Sequence, residues 1–374
     1  MKNNILLVCT CVAALGCSTV NSFKSKIVAP VKKSNILIAS WGKNLDPNYL
    51  SGNVPIHLNG AVLKDEVIYI GQPGHGFLAI RERDGDTSWV AKESEEYSSS
   101  PVIFGDSVIY GTISGRVKSR KLINGELNYE LDVGASVDGT PIVSNGRLFV
   151  QLRNHQIFSL DAATGKILWS YKKSVTMKTT IQGVGEGVVS DNLVIYGFAD
   201  GDLVAFRVET GDVVWERRVA KANSKFMDLN ANIIKYQDNI CTSDSSGSLF
   251  FINPKTGDIQ RHVNAKATTN LILHKGKIFF GDNLGVLNYL SESYELVRIN
   301  KIADHTLTRV GIWKNSIIGG DIKGNISFIS LDNEKQIVRK QLGNDLSAIF
   351  TKPEVGSLGG LVLFTSRGRL YYYH

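Results

Sequence analysis

The sequence predicts an all-β protein: one eight-bladed β-propeller of four-stranded antiparallel blades, closed by an N-terminal strand that completes the last blade. Three observations predict it. A glycine-anchored motif recurs eight times, each copy holds several short alternating strands, and no segment has the pattern of a long amphipathic helix. Composition agrees, since 36 of the 374 residues are glycine and only 8 are proline, which marks tight turns between strands, not a low-complexity linker. Hydrophobic residues at 43% and charged residues at 21% exclude both a disordered chain and a polytopic membrane protein.

The first element is an address. Met1-Lys2-Asn3-Asn4 carries one positive charge, and Ile5 to Gly16 is apolar but too short to cross a hydrocarbon core of ~30 Å as a helix. The run ends Ala14-Leu15-Gly16-Cys17-Ser18, which resembles the lipobox of bacterial lipoproteins, where the cysteine becomes the lipidated first residue. That family prefers leucine one position earlier than Leu15, with a small residue where Leu15 stands; an ordinary secretory signal is the alternative. Ser18 after the cysteine resembles lipoproteins sorted to the outer membrane. The expected organisation is a signal peptide over 1–16, lipidated Cys17 with a flexible tether over 17–33, and the propeller over 34–374. Cys9 and Cys11 leave with the signal, so Cys241 remains as the one free thiol, with no disulfide possible within the chain.

The blades follow. Residues 154–169 (NHQIFSLDAATGKILW) are the fullest copy of the motif; 200–215 repeats it, and Ser246–Ile252 with Thr256-Gly257 is a third clear copy. Taking Gly76, Gly115, His155, Gly201, Gly247, Gly285, Gly324 and Gly368 as anchors, copies are spaced 38–46 residues apart, the period of propeller blades. A Thr-Gly or Asp-Gly turn then leads to an aromatic four residues on: Gly85 to Trp89, Gly125 to Tyr129, Gly165 to Trp169 and Gly211 to Trp215. A bulky ring at a fixed place in each blade can pack between neighbours that share no hydrogen bonds. Gly257 leads to Arg261 and breaks the rule. Hairpins such as 100–110, 139–150 and 270–280 precede the anchors and bring each repeat to four strands.

The eighth copy ends at 368–374, its third strand, whereas Ile36–Trp41 is an orphan strand carrying an aromatic like Trp169 and Trp215. Trp41 and its neighbours are expected beside residues 369–373, closing the ring.

Leu160-Asp161-Ala162-Ala163-Thr164-Gly165-Lys166-Ile167-Leu168-Trp169 resembles the pyrroloquinoline-quinone-type propeller repeat. With the lipobox, the short tether and this length, the whole chain resembles the family of assembly factor B of the bacterial β-barrel assembly (BAM) machinery. The resemblance implies a non-catalytic scaffold in the periplasm, lipid-anchored to the outer membrane and without a cofactor. It implies docking on the POTRA domains of the machinery's central subunit, alongside its other lipoproteins, and help in folding and inserting nascent outer-membrane proteins. By register, one docking loop falls on Thr179-Thr180-Ile181-Gln182-Gly183 and the other on Met227-Asp228-Leu229-Asn230. Asp228 and Ile181 match acidic and aliphatic positions of the family; Gln182 stands where it commonly has arginine, and Asn230 where it has aspartate.

Enzymatic readings fare worse. Quinone-dependent propellers resemble longer chains with an adjacent cysteine pair, and this chain has no adjacent Cys-Cys. Asp200, Asp202, Asp244 and Asp282 sit beside turn glycines or serines, where aspartate shapes the turn. The seven histidines include no i,i+4 pair, and His75 between two glycines reads as a turn residue. Gly183-Val184-Gly185-Glu186-Gly187 is glycine-rich but leads into no helix that could hold a phosphate. The net charge of +7 is small for this length, and Arg217-Arg218 and Arg339-Lys340 read as outer-strand charges that discourage edge pairing, so nucleic acid is excluded. Two classes remain: the assembly scaffold, and an envelope-located binding propeller for another protein, a glycan or a quinone-like ligand. Whether the two loops lie on one rim separates them.

Overall fold

Short apolar strands joined by tight turns fold back on one another into eight four-stranded antiparallel sheets among the described residues. The computed structural model describes residues 39–45, 60–72, 76–94, 96–97, 99–175, 185–220, 229, 231–333, 337–341, 354–365 and 368–374. All belong to one unit, Ser34–His374.

Strand β1 (Ala39–Asn44) is set apart from its neighbours in sequence. Blade 1 is β2 (Val62–Lys64), β3 (Val67–Gln72), β4 (Gly76–Arg81) and β5 (Thr87–Ala91). Blade 2 is β6 (Val102–Phe104), β7 (Ser107–Gly111), β8 (Arg116–Lys121) and β9 (Leu127–Asp132). Blade 3 is β10 (Ile142–Ser144), β11 (Arg147–Gln151), β12 (Gln156–Asp161) and β13 (Ile167–Lys172). Blade 4 is β14 (Val188–Ser190), β15 (Leu193–Gly197), β16 (Asp202–Arg207) and β17 (Val213–Arg218). Blade 5 is β18 (Ile234–Tyr236), β19 (Asn239–Ser243), β20 (Ser248–Ile252) and β21 (Ile259–Asn264). Blade 6 is β22 (Ile272–His274), β23 (Lys277–Gly281), β24 (Val286–Leu290) and β25 (Leu296–Lys301). Blade 7 is β26 (Leu307–Trp313), β27 (Ser316–Asp321), β28 (Asn325–Ser330) and β29 (Ile337–Gln341). Blade 8 is β30 (Glu354–Val355), β31 (Leu361–Phe364), β32 (Arg369–Tyr373) and, from the other end of the chain, β1.

First strands of successive blades approach one another from β2 through β22, and β30 meets β2, so they form the inner wall and the fourth strands the perimeter. Second and third strands lie under a neighbouring blade on each face. Their side chains are therefore buried in unbroken runs, as in β15 (LVIYG) and β20 (SLFFI), where a one-sided sheet would alternate. Cys241 is buried in one such run, and burial pushes its thiol far above the ordinary range.

The seams between blades repeat one contact. Trp41, Trp89, Tyr129, Trp169 and Trp215 each press against the turn glycine of the next blade: Gly85, Gly125, Gly165, Gly211 and Gly257. A Cβ on these glycines would come within 2.5–2.8 Å of the ring, and their φ of +73° to +77° excludes most other residues as well. Each ring's polar atom donates to a backbone carbonyl three residues before that glycine: Trp41 to Glu82 (2.8 Å), Trp89 to Leu122 (2.8 Å), Tyr129 to Ala162 (3.2 Å), Trp169 to Val208 (2.9 Å) and Trp215 to Pro254 (2.8 Å).

A β-bulge aims each ring. In blades 8, 1, 2, 3 and 4 the pairing with the third strand slips by one residue immediately before the aromatic, leaving Ser40, Ser88, Asn128, Leu168 and Val214 without an opposite partner. The slip breaks the period of two and re-aims the following side chain. Blade 5 has the same bulge, at Gln260, but presents Arg261. The next blade answers the change: Tyr294 replaces the turn glycine at φ +65°, and the Arg261 guanidinium lies 4.3 Å from its ring centroid. In blade 6 the bulge moves to Ile299, and β28 and β29 pair without one. The seam between blades 7 and 8 is held instead by Trp313, whose indole donates to Gly359 O at 2.8 Å.

Closure follows the expected pairing, with Gly42 opposite Tyr371 and Asn44 opposite Arg369. The described strand starts at Ala39 and runs to Asn44; Ile36–Ile38 lie outside the described residues. Trp41 stacks on Tyr372 (5.6 Å, 11°). Glu82, fully buried, occupies the place held in later blades by Leu122, Ala162, Val208 and Pro254. Its carboxylate accepts from Tyr372 Oη (2.9 Å) and from the backbone N–H groups of Ser357 and Leu358 (3.0 Å each).

Truncating Trp169 to alanine removes a buried ring and its hydrogen bond, and is expected to destabilise the protein by about 3–5 kcal/mol in urea unfolding. Arg261→Trp and Tyr294→Gly should each destabilise alone, whereas the double variant rebuilds the repeating contact. A double-mutant cycle should show favourable coupling of about 0.5–3 kcal/mol, and additivity would refute the exchange.

Candidate functional site at the connection rim

Every blade is an antiparallel meander, so each link from a fourth strand to the next first strand leaves on one face of the ring. The residues expected to dock a partner lie in two such links, β13 to β14 and β17 to β18. Thr179, Ile181, Gln182, Gly183, Asp228 and Asn230 fall outside the described residues, as do His75 and Cys17. The described ends of the two links meet: Ile233 N–H donates to Glu186 O at 3.0 Å. Leu229 corrects an expectation. It is 2% exposed, its N–H donates to Phe198 O at 3.2 Å, and its side chain seats against Gly197, so it is a core residue of the seam and offers no side chain to a partner.

Beneath the first link lies a buried ion cluster. Lys173 Nζ contacts Asp202 (2.9 Å), Asp200 (3.3 Å) and Glu216, and lies 5.7 Å from the Phe198 ring centroid. Arg218 holds Asp202 from the other side through Nε and through a second nitrogen at 3.2 Å. Burial disfavours the Asp202 carboxylate, but hydrogen bonds from Arg218 and Lys173 outweigh it and bring its pKa down to about 2. Burial also opposes the Lys173 ammonium, yet Glu216 and Asp202 hold its pKa above the ordinary range. Asp200 moves upward, through burial first and then the charge of Asp202.

The reading of Asp202 as a turn former is therefore incomplete, and that of Arg217-Arg218 as edge charges is corrected. Arg217 donates to Gly257 O (2.8 Å) and pairs with Asp258 (3.0 Å) of the next blade, while Arg218 belongs to the cluster. Arg339 likewise reaches Ile302 O (3.1 Å) and Asp304 (3.0 Å). Asp244 and Asp282 do shape turns, each accepting two backbone N–H groups two and four residues on, at 2.9–3.0 Å.

The cluster has a counterpart of opposite sign. Glu93, after β5, contacts Lys118 (3.2 Å) and Arg120 of blade 2 and accepts from Tyr110 (2.9 Å). Eight residues after the turn glycine, Glu93 and Lys173 stand where the other copies have Val133, Val219 and Ala265, and that departure from an apolar position was the available sequence signal. Among the described residues no group of three or more His, Cys, Asp or Glu side chains could hold a metal, and no helix is long and apolar enough to cross a membrane.

Fold and rim define a class: an eight-bladed propeller in which five seams are aromatic–glycine contacts and the links gather on one face. The profile of a family described as outer membrane protein assembly factor BamB matches residues 75–294. The chain belongs to that family. An assembly factor BamB from Yersinia pestis is 23% identical over 257 residues, which cover 65% of this chain and 64% of that protein, a little under two thirds of its length. The crystal structure of BamB from Moraxella catarrhalis superposes with a TM-score of 0.74 at 17% identity, over 91% of this chain and 100% of that one. A quinohemoprotein alcohol dehydrogenase from Comamonas testosteroni shares the fold at a TM-score of 0.67 and 12% identity, over 90% of this chain and 76% of the enzyme.

The Asp202 shift has a defined pH signature. Its pKa is lowered from 3.8 to about 2, so its contribution is present above about 4 and is lost as pH falls towards 2. The stability difference between wild type and Asp202→Asn is therefore expected to be constant near neutrality and to shrink from pH 4 to 2 in urea titrations. A difference independent of pH would refute the assignment.

Proposed function

We propose that this protein is a non-catalytic scaffold lipoprotein of the outer-membrane β-barrel assembly complex. It is held to the outer membrane through lipidated Cys17, with the propeller in the periplasm. The rim formed by the β13–β14 and β17–β18 links docks on the POTRA domains of the central subunit and so assists folding and insertion of outer-membrane proteins. Family membership supports the assignment to assembly. The hydrogen bond from Ile233 to Glu186 carries the choice of rim, because it joins the ends of the two links that hold Ile181 and Asp228. The cluster around Lys173 gives the rim a rigid base, since Lys173 ties Asp200, Asp202 and Glu216 together and its loss leaves the mostly buried Asp200 without a cation.

The outer edges of the blades, unpaired among the described residues, offer a second contact within the same reading, since an extended segment of a nascent barrel can add to an exposed strand.

The test is affinity purification of the tagged full-length protein from detergent-solubilised envelopes, beside an Ile181→Ala/Asp228→Ala variant. A POTRA-bearing barrel protein should co-purify with wild type and fall at least several-fold with the variant. Recovery of another envelope partner or a glycan in its place would favour the alternative of a binding propeller with a different client. Cys17→Ser should move the protein from the membrane to the soluble envelope fraction; unchanged membrane association would remove the lipid anchor from the proposal.

A further inference from the structure

The inner wall carries a ring of equivalent residues, each four positions before the end of its first strand: Ser100, Thr140, Glu186, Asn232, Asn270 and Arg309. Five of them bind round the ring. Ser100 Oγ accepts from Gly60 N (2.8 Å), and Thr140 Oγ1 donates to Glu186 Oε1 (3.1 Å). Asn232 clasps the backbone of Leu271, donating at 3.0 Å and accepting at 2.8 Å. Asn270 clasps Val310 in the same way, at 3.1 and 3.0 Å.

Arg309, the equivalent residue of blade 7, is paired through its backbone with Gly320, but its side chain makes no hydrogen bond and no ion pair among the described residues, although it is only partly exposed. A guanidinium has five N–H donors and does not lose its charge in proteins, so this half-buried side chain presents an unpaired cationic fork at the inner wall. Burial pulls its pKa below the ordinary value, and Glu186, three blades away round the ring, is the charge that opposes the shift. Glu186 is itself tied back by Thr140.

We propose that Arg309 is the cationic centre of an oxyanion site on the inner wall, taking the carboxylate or phosphate group of a ligand that enters along the ring axis. The planar fork of the guanidinium suits such a group. Glu186, held by Thr140 at the equivalent position of blade 4, is a like charge to the ligand on the same inner wall and limits its affinity.

The experiment is calorimetric titration of the purified full-length chain at constant ionic strength, with inorganic phosphate in one arm and acetate in the other. Saturable binding of at least one anion is expected, and the arm that binds tighter identifies the group. Arg309→Gln should weaken binding at least tenfold, Arg309→Lys should retain part of it, and Glu186→Gln, which keeps an acceptor for Thr140, should tighten it several-fold. No saturable binding of either anion, or equal affinity in Arg309→Gln, overturns the proposal. If Arg309→Gln does not fold, the Glu186→Gln arm decides: unchanged or weaker affinity there overturns it.

Discussion

A tryptophan pressed against a glycine turn, with its indole N–H given to a carbonyl of the next blade, is the contact around which this propeller is arranged. Among the described residues no strand ladder joins one blade to the next, so their separation and rotation are set by side chains. The contact sets both. The glycine lets the ring approach the backbone, the hydrogen bond fixes its orientation, and the bulge before it turns the side chain out of the blade. Trp169 shows all three, with Gly211 beneath it, Val208 O as acceptor and Leu168 bulged behind it. The links that form the rim hang from strands placed in this way.

Much of this was legible in the sequence because it depends on residue types at fixed spacing. The anchors, the aromatic four residues after the turn glycine and the orphan strand ending at Trp41 all led to the observed ring. The bulges were not legible. Ser40, Ser88, Asn128, Leu168, Val214 and Gln260 have no chemistry in common, since a bulged residue is defined by what lies opposite and not by its own side chain. The exchange of Trp–Gly for Arg261–Tyr294 was half visible, as a broken rule whose compensation lies 33 residues on. Leu229 was placed in a docking loop by register alone, which carries no information on burial, and the link dips this aliphatic residue into the seam. The Lys173 cluster escaped for the same kind of reason, because its partners come from the following blade and become neighbours only when the blades stack.

The two buried ion clusters have opposite sign, an acid of blade 1 facing cations of blade 2 and a lysine of blade 3 facing acids of blade 4. Apolar seams tolerate any neighbour of suitable shape; charged ones do not, because a mismatched pair buries an unpaired charge. In a molecule built from eight similar units, which can dock in the wrong order, these two seams and the Arg261–Tyr294 seam discriminate the right neighbour from the wrong one.

Pairing of β1 with β32 also gives the molecule a sense of time. A ribosome makes Trp41 long before Tyr372, so the first strand has no partner until the last one has been made. Lengthening the intervening loop adds only about 0.6 kcal/mol per doubling, so the delay is kinetic more than energetic. Until the last strand arrives, the buried carboxylate of Glu82 lacks Tyr372 and the Ser357–Leu358 turn, and it remains hydrated at an open seam. Closure therefore acts as a completeness check: without its last strand the ring keeps an unsealed edge and a carboxylate stripped of its three donors.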